Sequence, residues 1–160
     1  MRGRQDCRDT RAPVDDTCSM RALVILLLLS ARAFAGPVTV TKTEIKISQQ
    51  IFFDFGKPTI KTESHVILDH VAAAMTKDKK IGFVEIQVHT DARGSDQWNL
   101  DLSQKRADAI REYLVAKGIA EARLRAKGYG ETKPIDKGTS AKAMARNRRT
   151  QFVIVQRVTA

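Results

Sequence analysis

The stretch from residue 89 to residue 107, HTDARGSDQWNLDLSQKRA, constrains the fold most, because it encodes a strand end, a turn and a helix in succession. An apolar run precedes it, Gly94 marks the turn, and a long helical pattern follows. Asp91 is therefore expected at a strand end and Arg106 on the next helix. A carboxylate and a guanidinium placed this way bind the two charged ends of a zwitterion, or form a buried ion pair that fixes the angle between strand and helix.

The rest of the chain alternates between strand and helix patterns. Residues 37–47 alternate apolar and polar side chains and predict either an edge strand or an extended linker, whereas residues 49–55 predict a strand. The other predicted elements are a helix over 62–75, strands over 82–88, 122–128 and 150–157, and a short helix over 141–147. This β-α-β-α-β-(α)-β order predicts an α+β fold, a two-layer sandwich with the helices packed on one face of a small mixed sheet.

The helix after the turn has the clearest apolar stripe. Its predicted buried face is formed by Leu100, Ser103, Ala107, Ile110 and Leu114. Gly118 predicts the C-cap of this helix, and Arg106 falls at the rim of the buried face. A side chain at the rim is partly covered by the sheet and remains open to a ligand.

The amino-terminal region has the pattern of a secretory leader. Residues 23–29 are an uninterrupted aliphatic run, Arg21 precedes them, and a small-x-small motif ends at Ala35. The run is much shorter than the roughly 20 apolar residues that span a bilayer. We expect cleavage after Ala35; a short buried core helix is the alternative. A leader of ordinary form begins at Met20, so a translation start there is a hypothesis.

Three regions are expected along the chain: a leader over 1–35, an extended segment or linker over 36–48, and one domain over 49–160. Both cysteines, Cys7 and Cys18, precede the aliphatic run, so we expect no disulfide after cleavage. The chain also lacks a cysteine directly after that run, where lipid would be attached. These features predict a periplasmic protein that is not a lipoprotein and has no transmembrane segment in its mature form.

The charge balance favours an anionic partner. The chain has 28 Lys and Arg against 18 Asp and Glu, a formal net charge of +10. Cell-wall polymers with free carboxylates or phosphates suit such a protein, as does nucleic acid. The predicted export argues against nucleic acid.

No group of residues in the sequence has the spacing of a catalytic or metal site. His65 and His70 are separated by five positions, so they do not share a helix face as i, i+4 ligands do. Ser103 stands in no G-x-S-x-G motif, and the G-x-G at 128–130 follows no suitable βαβ unit. We therefore expect no metal, no cofactor and no enzymatic activity.

Four blocks of sequence, in order, closely resemble the OmpA-like peptidoglycan-binding domain family. They are IFFDFGKPTI at 51–60, the HTD..G....N..LS..RA signature at 89–107, RLRAKGYGETKP at 123–134 and NRRTQFVI at 147–154. The resemblance covers roughly residues 50–157. One departure is Val88, which stands where a glycine often precedes the His-Thr-Asp motif in the family.

The resemblance implies a ligand and a role for each matched residue. The ligand would be the diaminopimelate of the peptidoglycan stem peptide, with its ammonium on Asp91 and its carboxylate on Arg106. The remaining implied contacts are hydrogen bonds from Thr90 and Asn99, a pocket floor at Leu102, and support or peptide contact from Arg149. The alternative for Arg149 and its neighbour Arg148 is a solvated surface cluster.

The function that follows is non-catalytic binding of peptidoglycan, which tethers the protein or a partner to the wall. A second possibility is an envelope structural or interaction protein of Pal-like or stator-like type, in which wall binding is secondary and residues 37–50 dock outer-membrane or envelope proteins. A third is a wall hydrolase, for which the sequence offers no catalytic set.

Overall fold

The computed structural model describes residues 37–158. These residues belong to one compact unit. The expected leader over 1–35, the cleavage after Ala35, the start at Met20 and both cysteines lie outside the described residues.

Five strands form one mixed sheet in the order β1-β2-β5-β3-β4. Only β3 and β4 run parallel, and α2 connects them; the other neighbours are antiparallel. The elements are β1 Val38–Val40, β2 Glu44–Ile47, α1 His65–Lys77, β3 Ile81–His89, α2 Asp96–Ala116, β4 Leu124–Gly130, α3 Ala141–Asn147 and β5 Arg149–Arg157. This is the predicted α+β arrangement with helices on one face of a small mixed sheet, so the fold class is confirmed.

The first two strands lie in the segment that the sequence left open between an edge strand and a linker. β1 and β2 form an antiparallel hairpin, and Ile45 of β2 pairs with Phe152 of β5. Ile45 is almost fully buried in the core. The sheet therefore begins before residue 49, where the sequence placed the start of the domain.

The predicted strand over residues 49–55 is wrong. The segment forms only an isolated bridge between Phe53 and Ile60. Its backbone bonds locally instead: the Phe52 N–H donates to Ser64 Oγ over 2.8 Å, and the Lys61 N–H donates to the Phe52 carbonyl over 3.0 Å. The segment is thus a loop held by its own turn. Its isoleucine and phenylalanine residues, which favour strands, do not form a strand of the sheet.

Helix α2 has well-defined ends. The Ser95 side chain accepts a hydrogen bond from the Trp98 N–H over 3.3 Å and caps the start. At the other end the Gly118 and Ile119 N–H groups donate to the carbonyls of Val115 and Leu114. This is the Schellman pattern, and the φ of +91° at Gly118 is the left-handed conformation that it requires. The predicted C-cap glycine is confirmed at this position.

The buried face of α2 is shifted by one residue from the predicted one at its first turn. Leu100 is exposed, whereas Asn99 and Leu102 are buried. Ser103, Ala107, Ile110 and Leu114 are buried as predicted. The shift brings the Asn99 side chain under the loop that follows β3.

Helix α2 and strand β4 approach each other unusually closely at Gly128. A Cβ at this position would lie 2.6 Å from the Gln104 Cα and would also overlap the Gln104 backbone nitrogen. The close approach allows α2 side chains to bond the outer edge of β4: the Gly128 N–H donates to Gln104 Oε1 over 2.9 Å, and the Gly130 N–H donates to Ser103 Oγ over 2.8 Å. The position of α2 on the sheet is fixed by these contacts.

One hydrophobic core lies between the helices and the sheet. Its main members are Ile67, Leu68, Val71 and Met75 of α1, Ala107, Ile110 and Leu114 of α2, and Val84, Ile86, Val88, Phe152 and Ile154 of the sheet. Within residues 37–158, every helix is too short or too polar to traverse a bilayer.

Replacing Gly128 by alanine should destabilise the protein by more than about 2 kcal/mol, because a methyl group there meets helix backbone that has no room to move. Thermal unfolding followed by circular dichroism should show a fall in Tm of about 5 °C or more. Gly138→Ala is the matched control, since an added methyl meets only side chains there. Equal Tm values for the two variants would contradict the close approach.

Candidate functional site

A groove with a volume of about 910 Å³ opens beside the carboxyl end of β3. It is lined by the loop at 50–56, the segment from Val88 to Asn99, two more α2 residues, and the start of β5. Both Asp91 and Arg106 line it, as the strand–turn–helix spacing led us to expect. Its charged lining side chains are Asp54 and Asp91 on the acidic side and Lys61, Arg93, Arg106, Arg148 and Arg149 on the basic side.

Asp91 is a buried carboxylate held by two arginines. Its Oδ2 accepts from Arg148 Nη1 at 2.6 Å, Arg93 Nη2 at 2.8 Å and Arg93 Nε at 3.2 Å. Its Oδ1 accepts the Arg93 backbone N–H at 3.2 Å. Burial acts to raise the pKa of Asp91, but the hydrogen bonds from Arg93 and Arg148 outweigh it, and the pKa lies below its usual value. The carboxylate is therefore ionised at neutral pH.

Arg106 is anchored by neutral groups. Its Nε donates to the Lys57 carbonyl over 3.1 Å and its Nη2 donates to the Asp54 carbonyl over 3.3 Å. Its guanidinium carbon lies 4.8 Å from the centre of the Phe53 ring, a cation–π distance. Burial lowers the pKa of Arg106, although an arginine remains charged at neutral pH.

The alternative of a direct Asp91–Arg106 ion pair is wrong. Asp91 forms ion pairs with Arg93 and Arg148. No ion pair among the described residues includes Arg106. The groove thus presents a cation whose charge is not balanced by a carboxylate within ion-pairing distance.

Asn99 holds the loop that carries Asp91. Its Nδ2 donates to the carbonyls of Asp91 and Arg93, both at 3.2 Å, and to Glu131 Oε2 at 2.6 Å. Thr90 is buried and its hydroxyl has no hydrogen-bond partner in the described part of the chain. Leu102 is also buried and lines the groove. All three predicted residues therefore line the groove, although Asn99 uses its amide to shape the loop.

The two arginines of the N-R-R block point to different partners. Arg148 reaches Asp91, whereas Arg149 donates to Gln151 Oε1 over 2.9 Å and to the Lys133 carbonyl over 3.1 Å. Arg149, the predicted site residue, lines the groove but is not a partner of Asp91. Arg148 and Arg93 were not predicted, although the spacing Asp91-x-Arg93 is visible in the sequence.

His89 is buried behind the groove. Its ring stacks on Tyr129 with 5.1 Å between centres, and neither ring nitrogen has a partner among residues 37–158. Burial, together with the positive charges of Arg149 and Lys133, lowers the pKa of His89 to about 4. The imidazole is therefore neutral at neutral pH. In the described ranges no three His, Cys, Asp or Glu side chains come together as a metal site.

Comparison with known proteins assigns the chain to a family. A family model described as the OmpA family matches residues 52–148. The chain belongs to the OmpA family. It is 36% identical over 110 residues to outer membrane protein P5 of Haemophilus influenzae, an alignment that covers 69% of this chain and 31% of P5. The chain thus spans about a third of the length of that relative.

Solved OmpA-like structures show the same fold. The peptidoglycan-associated lipoprotein from Burkholderia pseudomallei superposes with a TM-score of 0.58 at 31% identity, covering 66% of this chain and 89% of that chain. The cell wall anchor of the T6SS from Pseudomonas aeruginosa superposes with a TM-score of 0.62 at 28% identity, covering 74% and 86%. The resemblance to the family that the four sequence blocks carried is therefore confirmed.

The depressed pKa of His89 predicts a specific pH dependence of stability. As the pH falls through about 6.5, the unfolded chain binds a proton at this histidine, whereas the folded protein does so only near pH 4. The free energy of unfolding is therefore unaffected by His89 above about pH 6.5. Between pH 6.5 and pH 4 it falls, by at most about 1.4 kcal/mol per pH unit. Urea unfolding across this range should show a flatter pH profile for His89→Phe, which keeps the stacking on Tyr129. An unchanged slope in His89→Phe would contradict the assignment.

Proposed function

We propose that this OmpA-family chain binds peptidoglycan without catalysing a reaction on it, and that it recognises the diaminopimelate of the stem peptide. The observation that carries the proposal is that Asp91 and Arg106 line one groove without pairing with each other. Two separate charges of opposite sign match a zwitterion. The Burkholderia lipoprotein and the Pseudomonas cell wall anchor, by their names, support the same class of ligand.

Arg106 is the side chain suited to the ligand carboxylate. A partly desolvated guanidinium without an ion-pair partner has lost hydration that two backbone carbonyls only partly replace. An incoming carboxylate supplies the missing negative charge, and the planar guanidinium donates charge-assisted hydrogen bonds to it. The groove's excess of basic over acidic side chains favours the other free carboxylates of the stem peptide.

Asp91 is the side chain suited to the ligand ammonium, but its Oδ2 already accepts three donors. The Arg93 side chain is 67% exposed, so it leaves Asp91 at low cost. Arg148 is the more covered of the two arginines and stays to keep the carboxylate ionised. In this mechanism the ammonium replaces Arg93 on Asp91.

The other predicted residues have supporting roles in this proposal. Thr90 lines the groove beside Asp91, Asn99 holds the loop, and Leu102 forms the floor. Arg149 supports the start of β5 through the Lys133 carbonyl or contacts the peptide where the groove continues.

The proposal places the protein in the periplasm, exported by a cleaved leader and held to the cell wall by binding. The alternative of an envelope docking protein needs a docking segment over 37–50, and half of that segment belongs to β1 and β2 of the sheet. Wall binding is therefore the function that this geometry supports best.

Arg106→Ala should weaken binding of a diaminopimelate-containing stem peptide at least about thirtyfold, since truncating one partner of a buried charge pair costs about 2–5 kcal/mol. Calorimetric titration of the purified protein measures this, and circular dichroism checks the fold. Arg111→Ala is the matched control, because Arg111 lies on the same helix and pairs with Glu121 instead. Wild-type affinity in Arg106→Ala would disprove the assignment of the carboxylate subsite.

Arg93→Ala should strengthen binding of the same peptide by about twofold to fivefold, because it removes a solvent-exposed competitor for the ammonium from Asp91. Asp91→Asn should weaken binding at least about tenfold, because it removes the charge that the ammonium needs. Both changes are read by the same titration. If Arg93→Ala weakened binding instead, Arg93 would be a ligand contact and the replacement of Arg93 by the ammonium would be wrong.

A further inference from the structure

One face of the sheet points away from the helices. Val84 and Ile86 of β3 point into the core, and successive side chains of a strand point to opposite faces. Ile45, Leu124 and Phe152 mark the core side of β2, β4 and β5 in the same way. The outer face therefore carries the alternate side chains, which are Glu44 and Lys46 of β2, Glu85 and Gln87 of β3, Arg125 and Lys127 of β4, and Gln151, Val153 and Val155 of β5.

The centre of the outer face holds a carboxylate whose charge is already matched. Glu85 is almost fully buried. Its Oε1 accepts from Gln87 Nε2 over 2.8 Å and from the Tyr129 hydroxyl over 3.0 Å, and its Oε2 accepts from Arg125 Nε over 2.7 Å. The ion pair with Arg125 neutralises Glu85, so this carboxylate does not balance the other cations on the face.

Two lysines lie over one aromatic ring beside this carboxylate. Lys133 Nζ is 4.2 Å and Lys127 Nζ is 5.0 Å from the centre of the Tyr129 ring, both cation–π distances. Both lysines are exposed, and neither forms an ion pair with a described residue. Their ammonium groups lie within about 10 Å of each other, the screening length at roughly 0.1 M salt, so they repel each other. An anion beside both groups offsets this repulsion.

The positive charge extends across the sheet. Lys46 is exposed on β2, and β5 and β3 separate it from β4, so it lies about 14 Å from Lys127 across the strands. Glu44 is the other carboxylate on these strands of the outer face, and Gln151 Nε2 donates to it over 3.4 Å. We call Lys46, Arg125, Lys127 and Lys133 the basic face; none of these four described side chains lines the groove beside β3.

Apolar side chains adjoin the basic face. Val155 is 53% exposed, and Val153 and Phe83 are half-buried. The Arg125 guanidinium carbon lies 5.9 Å from the centre of the Phe83 ring, so the two kinds of side chain are neighbours. A dissolved anion uses only the charges of such a surface. A lipid surface uses both, because its phosphates meet the basic groups and its glycerol and acyl region meets the apolar ones.

We propose that the basic face docks on a lipid surface that contains anionic headgroups. The ammonium groups of Lys127 and Lys133 bind headgroup phosphates, and Val155 packs at the boundary with the acyl chains. This interaction goes beyond the proposed function and does not depend on the ligand of the groove. Since the groove is lined by other residues, the domain holds a membrane on one surface while the groove stays open to its own ligand.

Sedimentation with lipid vesicles tests the inference. Residues 36–160 contain the whole compact unit and its core and omit the aliphatic run at 23–29, which would itself bind lipid. This protein should bind vesicles of phosphatidylcholine with phosphatidylglycerol, bind pure phosphatidylcholine vesicles less well, and lose the difference as salt is added. The double variant Lys127→Gln with Lys133→Gln should bind the anionic vesicles about tenfold or more weakly, since each lysine near an anionic surface contributes severalfold.

Two further variants serve as controls. Lys77→Gln with Lys105→Gln removes the same charge from exposed positions on α1 and α2, and it should keep most of the binding. Arg106→Ala changes the groove alone and should bind vesicles like the wild type. Circular dichroism checks that each variant is folded.

Four results would overturn the inference. Wild-type vesicle binding by the Lys127 and Lys133 variant means that the basic face makes no contact, and an equal loss in the helix control means that only total charge matters. Loss of vesicle binding in Arg106→Ala transfers the lipid to the groove. Displacement from vesicles by low concentrations of glycerol phosphate means that the face binds a soluble anion rather than a membrane. Failure of the stem peptide to bind would reject the proposed function alone, because the vesicle experiment does not use that peptide.

Discussion

The contact between α2 and β4 determines where the site residues lie. Gly128 has no side chain, so the helix backbone rests directly on the strand, and Ser103 and Gln104 bond the strand's amides. The same helix carries Asn99 one turn earlier and Arg106 about one turn later. One close approach therefore sets the position of the loop that bears Asp91 and of the guanidinium that lines the other part of the groove.

The site shows how one protein keeps two opposite charges apart in a confined space. Asp91 is stabilised by arginines, and Arg106 is stabilised by carbonyl dipoles and an aromatic face. Had the two paired with each other, neither would be available to a ligand. The different partners keep each charge in place at a cost in desolvation that a zwitterion can offset.

The sequence predicted the elements whose apolar stripes face the core. Helices α1 and α2 and strands β3 and β5 follow from periodicity, because a single buried face dictates their pattern. Residues 49–55 were misread because Phe52 and Phe55, which look like strand residues, serve the edge of the groove. β-propensity does not distinguish a buried strand from an aromatic surface. Asn99 was not predicted to be buried for a similar reason. The buried face of α2 is shifted by one residue at its first turn, where the helix meets the loop after β3, so Asn99 and Leu102 are buried in place of Leu100.

Local spacing placed Asp91 and Arg106 on one groove, but it did not identify the partners of Asp91. Arg148 is 57 positions away, and only the folded chain shows which of two adjacent arginines reaches the carboxylate. Side chains of neighbouring residues leave an extended backbone in different directions, so a shift of one residue changes the partner. Contacts of this kind depend on the arrangement of the whole sheet.

The glutamine on α2 also has a consequence for how copies of this domain meet. Strand β4 is an edge of the sheet, and an open edge invites strand addition from a second chain. Gln104 occupies the edge groups of Ala126 and Gly128 in the way that a neighbouring strand would. Between Ala126 and Gly128 this edge is closed to sheet extension, which disfavours the joining of copies of the domain into a continuous sheet through β4.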